Sequence, residues 1–230
     1  MMRRWTHSLI ALSEWVAPAG RFRRRRLLAV LATAYVIFVA TYLAVNIYSI
    51  GRTSRALWLP GEAALPFIPE FEFFYILGYL VPLLAVFRLP GASEFRRLLV
   101  AFGLTLLVAY ATYLVFPVYL ERPEFEVNSV ATFLLSLEYH DPSYNHFPSL
   151  HLGTAWLIYL ACRRGVRRRV AVVALLLAIS LSTVFVKQHY LVDVVFGVGL
   201  ALAAWWVSGL VEARVADRSA ASGGSPAAVK

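Results

Sequence analysis

Long apolar stretches separated by short polar segments dominate the chain between residues 27 and 211. Six stretches can be delimited, at Leu27–Ile50, Phe71–Phe87, Leu98–Phe116, Phe147–Cys162, Val170–Val186 and Leu191–Val211. A helix needs about 20 apolar residues, within a range of roughly 17–25, to cross the hydrocarbon core of a bilayer. The pattern therefore predicts an all-α, polytopic membrane protein with a bundle of about six transmembrane helices.

The composition supports a membrane location. Hydrophobic residues make up 60% of the chain and charged residues 15%, whereas soluble domains have about 45–50% apolar and about 25% charged residues. A soluble core of this size cannot bury so much apolar surface, so part of that surface is expected to face lipid. The single cysteine, Cys162, excludes an intrachain disulfide and a multi-cysteine metal site.

The positions of the basic residues indicate how the helices are oriented. The net charge is +9, and the arginines cluster between apolar stretches, which favours lipid headgroups over nucleic acid as their neighbours. With alternating spans, 18 of the 22 Lys and Arg residues fall on one side. The other side holds Arg52, Arg55, Arg122 and Lys187. The positive-inside rule then predicts that both termini are cytoplasmic.

Three regions follow from the pattern. Residues 1–26 are predicted to form a basic cytoplasmic segment, residues 27–211 the six-helix transmembrane domain and residues 212–230 a disordered cytoplasmic tail rich in Ala, Ser and Gly. The first apolar stretch is too long for a signal-peptide core, so we expect an uncleaved anchor. Before the fourth stretch, apolar residues at helical spacing between Val127 and Leu137 predict a short amphipathic helix on the outer surface.

Two polar segments interrupt the apolar pattern at membrane depth. Residues 145–151 (NHFPSLH) open the fourth stretch, and residues 187–193 (KQHYLVD) open the sixth. Ionisable residues at this depth are costly and by default indicate a function. Both segments lie on the outer side of the predicted topology, so a site is expected on the non-cytoplasmic face.

The residue types in these segments suit phosphate chemistry. His189 and Asp193 are four residues apart and share one face of a helix, where the carboxylate can fix the tautomer of the imidazole. The fourth and sixth helices begin on the same side, and helix N-termini attract anions such as phosphate. Ser149 can add a hydroxyl donor there, and Arg122 and Lys187 can complete a cradle for phosphate.

Other interpretations of these residues stay open. A Pro-Ser pair commonly caps a helix, a His–Asp pair can be structural, and an arginine near the interface can be an anchor. A metal-dependent hydrolase is a second class, although no compact motif such as H-E-x-x-H is present. Its candidate ligands are His140, His146, His151, His189 and Asp193. A transporter or scaffold is a third class, but a transporter places polar residues near the midplane of several helices.

Two motifs resemble those of a known family. The segments FPSLH at 147–151 and ST-x5-HY-x2-D at 182–193 resemble the second and third motifs of the type 2 phosphatidic acid phosphatase superfamily. The forms PSLH and HYxxD are most similar to its inositol phosphorylceramide synthase-like branch. The resemblance covers roughly residues 98–205. It implies a helical bundle with lipid phosphatase or lipid phosphotransferase activity, and it implies neither a metal nor another cofactor.

The resemblance also implies a role for each motif residue. His189 would attack phosphorus and form a phosphohistidine, with Asp193 orienting the imidazole. His151 would protonate the leaving oxygen, and Ser149 would hold a phosphate oxygen. The substrate would be a membrane phospholipid or another lipid phosphate, and the acceptor would be water or a lipid hydroxyl.

Two positions depart from the family pattern. The first motif has a lysine seven residues before the arginine of an Arg-Pro pair; here Arg122 and Pro123 are present, but the earlier position is Val115. The third motif usually has arginine after its serine, where this chain has Thr183. Two phosphate ligands of the family are therefore absent, and Lys187 is the candidate substitute.

Overall fold

The computed structural model describes residues 2–223, with side chains described for residues 5–18 and 20–214. Over this part of the chain the regular structure is helical and no strand forms, which confirms the predicted all-α class. The helices are α1 (Met2–Val16), α2 (Arg24–Tyr48), α3 (Glu72–Leu80), α4 (Leu83–Arg88), α5 (Ala92–Val115), α6 (Val130–Glu138), α7 (Leu150–Cys162), α8 (Arg169–Phe185) and α9 (Leu191–Gly223).

Three segments are long and apolar enough to cross a membrane, judged by length and composition: helices α2 and α5, and residues Leu191–Arg214 of α9. Helices α7 and α8 are apolar but shorter, with 13 and 17 residues. The second predicted stretch, Phe71–Phe87, is not one helix, because it divides into α3 and α4 next to Pro82. Proline has no backbone N–H to donate within a helix. The count of six spanning helices stays a prediction.

Two surface elements differ in how well the sequence predicted them. The expected amphipathic helix is α6, and its N-cap residue, Ser129, forms a reciprocal capping box with Thr132. Helix α9 continues past Val211 to Gly223, so the predicted disordered tail begins as helix. The Ala, Glu and Arg residues in this segment favour helix once a preceding turn is formed. The rest of that tail, residues 224–230, lies outside the described residues.

Helices α5, α7 and α9 pack against one another and form the centre of the bundle. Their buried contact residues include Phe95, Leu98, Ala101, Leu157, Ala161, Ala201 and Trp205. Helix α2 lies at the side of this centre and leaves Val36 and Ile37 65% and 56% exposed. Apolar side chains this exposed on a long apolar helix are expected to contact lipid.

The predicted orientation can be tested by labelling two exposed positions. In a Cys162→Ala background, Asn128→Cys lies before α6 and Arg167→Cys lies in the arginine-rich loop between α7 and α8. Because basic loops stay in the cytoplasm, we expect an impermeant maleimide to label only Asn128→Cys in intact cells. Labelling of Arg167→Cys alone would reverse the topology.

Candidate active site

Helix α7 begins beside helix α9. Ser149 is the N-cap of α7, and its Oγ accepts a hydrogen bond from the N–H of Leu152 at 3.3 Å. The N–H of Ser149 donates to the carbonyl oxygen of Asp193 at 3.2 Å. A Cβ atom at Gly197 would lie 2.5 Å from the carbonyl oxygen of Ser149, so only glycine permits this approach. The two predicted motifs therefore meet where α7 and α9 begin.

A tight turn between α8 and α9 positions His189. The carbonyl oxygen of Thr183 accepts hydrogen bonds from the N–H groups of Gln188 at 2.9 Å and His189 at 3.0 Å. Lys187 adopts a φ of 52°, in the left-handed region, within this turn. Thr183, the position where the sequence departs from the family motif, thus holds the turn through its backbone.

Ser149, His189 and Asp193 form a chain of hydrogen bonds. Ser149 Oγ lies 2.9 Å from His189 Nε2, and His189 Nδ1 lies 3.3 Å from Asp193 Oδ2. The same Oδ2 accepts from the N–H of Tyr190 at 3.0 Å, which fixes the carboxylate. Since a carboxylate accepts, Nδ1 carries the proton and the lone pair of Nε2 faces Ser149. Burial, reinforced by Arg122, lowers the pKa of His189 to about 3, so its imidazole is neutral.

Helix α3, which carries no motif, holds His151 in place. The imidazole stacks on the ring of Tyr75, with centroids 4.4 Å apart and planes inclined by 3°, and meets the ring of Tyr79 edge-on at 4.9 Å. A Cβ atom at Gly78 would lie 2.1 Å from His151 Nε2. That nitrogen is buried and has no hydrogen-bond partner. Sequence analysis missed these three α3 residues, because their role depends on which helix packs against α7.

Replacement of Gly78 by alanine should displace the His151 imidazole. Because a displacement of about 1 Å in a catalytic group can cost about 10²-fold in rate, we expect kcat/KM on a lipid substrate to fall by about that factor. Gly103→Ala is the matched control, since a Cβ atom there meets nothing within 4 Å. Full activity in a folded Gly78→Ala protein would show that the position of His151 is unimportant.

A cavity of about 440 Å³ connects the histidines. His146, His151 and His189 line it, together with Gln188 and tyrosines of α2 and α3. From this polar end it extends between helices α2, α5 and α7, where its lining is apolar. None of the described residues that line the cavity is Lys or Arg.

The two predicted phosphate-binding cations lie outside this lining. The Arg122 guanidinium donates to Asp141 Oδ1 at 2.7 Å and to Gln188 Oε1 at 2.9 Å. It therefore stabilises two residues that line the cavity without lining the cavity itself. Lys187 Nζ donates to the carbonyl oxygen of Leu65 at 2.8 Å and lies 5.9 Å from the ring centroid of Trp58. The structure thus brings Ser149, His151, His189 and Asp193 to one site. Arg122 lies next to this site, and the Lys187 amine is directed away from it.

A possible metal site overlaps the same residues. His146, His189 and Asp193 offer ligand atoms within 4.8 Å of one another. His146 Nδ1 lies 2.7 Å from the carbonyl oxygen of Gln188, and its Nε2 lies 2.8 Å from Ser143 Oγ. Burial lowers the pKa of His146 to about 3. Both nitrogens of both imidazoles are therefore already engaged, and a metal ion would have to displace at least one hydrogen bond from each ring.

The other histidine of the metal hypothesis lies apart. His140 Nδ1 is 2.6 Å from the carbonyl oxygen of Ser136, and the side chain is exposed outside the cavity. His146, in contrast, lies in the site, with its ring centroid 5.5 Å from that of His189. Sequence analysis did not distinguish these two loop histidines, because only the fold shows that the segment before α7 turns inward.

Comparison with known proteins identifies the family. A family model described as the PAP2 superfamily matches residues 52–207, which is more than half of the chain and begins earlier than the motif resemblance indicated. The matched region contains α3 to α8 and the four residues Ser149, His151, His189 and Asp193, but not the part of the cavity wall on α2. No curated protein and no solved structure matches the chain. The match and the geometry agree, and the chain belongs to the PAP2 superfamily.

Proposed function

We propose that this protein is a membrane-embedded enzyme that cleaves a lipid phosphate ester through a phosphohistidine on His189. Membership of the PAP2 superfamily supports phosphatase-type chemistry on phosphate esters. The observation that carries the proposal is the state of His189: its Nδ1–H is directed at Asp193, and the Nε2 lone pair faces the start of α7. A helix N-terminus is a favourable position for a phosphate group.

The geometry supports a two-step reaction. In the first step, His189 Nε2 attacks phosphorus, while the Ser149 hydroxyl leaves Nε2 and donates to a phosphate oxygen. The P–O bond to the leaving group breaks, and protonated His151 gives its proton to the departing oxygen. The anionic substrate favours protonation of His151, whose Nε2 has no hydrogen-bond partner in the protein. In the second step, the incoming hydroxyl gives its proton to His151 and attacks the phosphorus, and the P–Nε2 bond breaks, so that His189 leaves as a neutral imidazole.

The apolar end of the cavity supports a lipid substrate. Its lining on α2 runs from Leu43 to Leu31, which is about 18 Å along a helix at about 1.5 Å per residue. Leu98, Leu99 and Phe102 of α5 line it from the other side. An acyl chain fits such a groove, and its ester phosphate would then lie next to the histidines. We place this site on the non-cytoplasmic face and both termini in the cytoplasm, in line with the distribution of basic residues.

The acceptor decides between two outcomes. Water gives a lipid phosphatase, and a lipid hydroxyl gives a lipid phosphotransferase, as in the inositol phosphorylceramide synthase-like branch that the motif forms PSLH and HYxxD resemble. The test is to incubate the purified protein with a panel of phospholipids, with and without a hydroxylated lipid, and to identify the products. A phosphorylated acceptor lipid supports the transferase, and free phosphate or a free phosphorylated headgroup supports the phosphatase.

Activity should persist in the presence of a chelator. The proposed route uses an imidazole nucleophile and hydrogen-bond donors of the protein, so it needs no bound cation. We expect less than about twofold loss of kcat/KM after exhaustive treatment with EDTA. Complete loss that zinc reverses would instead favour a metal-dependent hydrolase built on His146, His189 and Asp193.

A further inference from the structure

One part of the cavity wall is built from hydrogen-bond acceptors. Glu138, Asp141 and Asn145 all line the cavity. The Asn145 side chain is only 2% exposed; its Nδ2 donates to the carbonyl oxygen of Tyr42 at 2.8 Å, while its Oδ1 has no partner. A buried amide oxygen without a donor is costly. This oxygen therefore indicates that a hydrogen-bond donor belongs in this part of the cavity.

The same wall is negatively charged. The Asp141 carboxylate is paired with Arg122 at 2.7 Å. Glu138 accepts a hydrogen bond from the Tyr79 hydroxyl at 2.8 Å but has no ion-pair partner among the described residues. Burial raises the pKa of the Glu138 carboxyl, and the hydrogen bond from Tyr79 and the charge of Arg122 offset this effect only in part. A cationic ligand would relieve this cost.

We propose that this wall binds the ammonium group of an amine-bearing phospholipid headgroup, so that the substrate is a zwitterionic phosphodiester. A primary ammonium carries one positive charge and three N–H donors, which match the acceptors of Glu138 and Asn145. Asn145 precedes His146, whose ring lies 5.5 Å from that of His189, so the headgroup amine would lie close to the phosphate at the nucleophile. The inference rests on the proposed function, because it uses the same cavity.

The charge of the cavity argues against a phosphomonoester. A monoester dianion would meet the Glu138 carboxylate in a cavity whose described lining has no Lys or Arg. A phosphodiester has one negative charge fewer, and a headgroup amine adds a positive charge where the wall is negative. The tyrosine rings that line the cavity next to Glu138, Tyr75 and Tyr79, also favour a cation over an anion.

The proposal is tested by measuring lipid binding to a catalytically inactive variant. The probes are short-chain phosphatidylethanolamine and phosphatidylglycerol in detergent. Both are phosphodiesters, but the headgroup of the first carries an ammonium and that of the second carries two hydroxyl groups. We expect His189→Ala protein to bind phosphatidylethanolamine at least about 10-fold more tightly, or about 1.4 kcal/mol. Adding Glu138→Gln should remove this preference without weakening the binding of phosphatidylglycerol, because the change takes a negative charge away from the cavity. Adding Glu126→Gln, the same change at an exposed position, should preserve it.

A change in the lipid repeats the test without a second substitution. N-acetylation of the ethanolamine headgroup removes its charge, and the product should bind no better than phosphatidylglycerol. Equal affinities for phosphatidylethanolamine and phosphatidylglycerol, tighter binding of phosphatidic acid, or a preference that survives Glu138→Gln would each overturn the proposal. Because these measurements use protein without His189, their failure leaves the phosphohistidine reaction untouched, and failure of that reaction leaves the binding preference untouched.

Discussion

Replacement of His189 by alanine should abolish covalent phosphorylation of the protein and lower kcat on every substrate by about 10⁴-fold or more. The reason is that His189 Nε2 is the proposed nucleophile, so the phosphohistidine cannot form without it. The measurement is rapid quenching of the enzyme with a ³²P-labelled lipid, followed by detection of protein-bound phosphate. The wild-type protein should show phosphate that is stable in base and labile in acid, and His189→Ala should show none.

Ser149→Ala is the control that distinguishes a histidine nucleophile from a serine nucleophile, because Ser149 and His189 are in direct contact. The chain Ser149–His189–Asp193 also has the geometry of a nucleophilic serine with a histidine base. If histidine is the nucleophile, Ser149→Ala should still become phosphorylated, at a reduced rate. Phosphate that is stable in acid and disappears in Ser149→Ala would assign the nucleophile to the serine and end the proposed mechanism.

Replacement of His151 by alanine should have an effect that depends on the leaving group. General acid catalysis contributes about 10²–10⁴-fold, or roughly 3–5 kcal/mol of barrier. A lipid alkoxide needs the proton when it leaves, whereas a nitrophenolate leaves almost without help. We therefore expect kcat/KM of His151→Ala to fall by about 10²–10⁴-fold on a lipid substrate and by less than about 10-fold on a short-chain nitrophenyl phosphate ester.

The comparison of two substrates separates this role from a structural one. A collapsed cavity would lower kcat/KM on both substrates by the same factor, and such an equal loss would contradict the assignment of His151 as the acid. His140→Ala serves as the matched control, because His140 is exposed outside the cavity. Its activity should equal that of the wild type on both substrates.

The helices and the central pair of motifs were accessible from the sequence because they depend on local pattern. Apolar stretches long enough for a bilayer predicted α2, α5 and the first part of α9, and the i,i+4 spacing placed His189 beside Asp193. Lys187 shows the limit of this reasoning. It is two residues from His189, but its left-handed backbone directs the amine to Leu65, away from the cavity.

The residues that sequence analysis missed act through packing between distant segments. Gly78 and Tyr75 are ordinary residues of an apolar stretch, and their importance appears only when α3 lies against His151. The same is true of Glu138, which becomes part of the cavity wall where α6 meets α3 and the Tyr79 hydroxyl donates to its carboxylate. No short motif records such contacts, because the spacing between the partners along the chain is arbitrary.

The close approach of α7 to α9 at Gly197 has an evolutionary consequence. Ser149 caps α7, Asp193 lies on α9 and His189 lies in the turn before α9. A change in the packing of these two helices therefore moves the reacting atoms directly. Other parts of the cavity wall come from α2 and α6, which carry none of the four residues assigned to the reaction and do not hold His151. Selection can therefore alter the headgroup or chain that is accepted, one substitution at a time, while the chemistry is inherited unchanged.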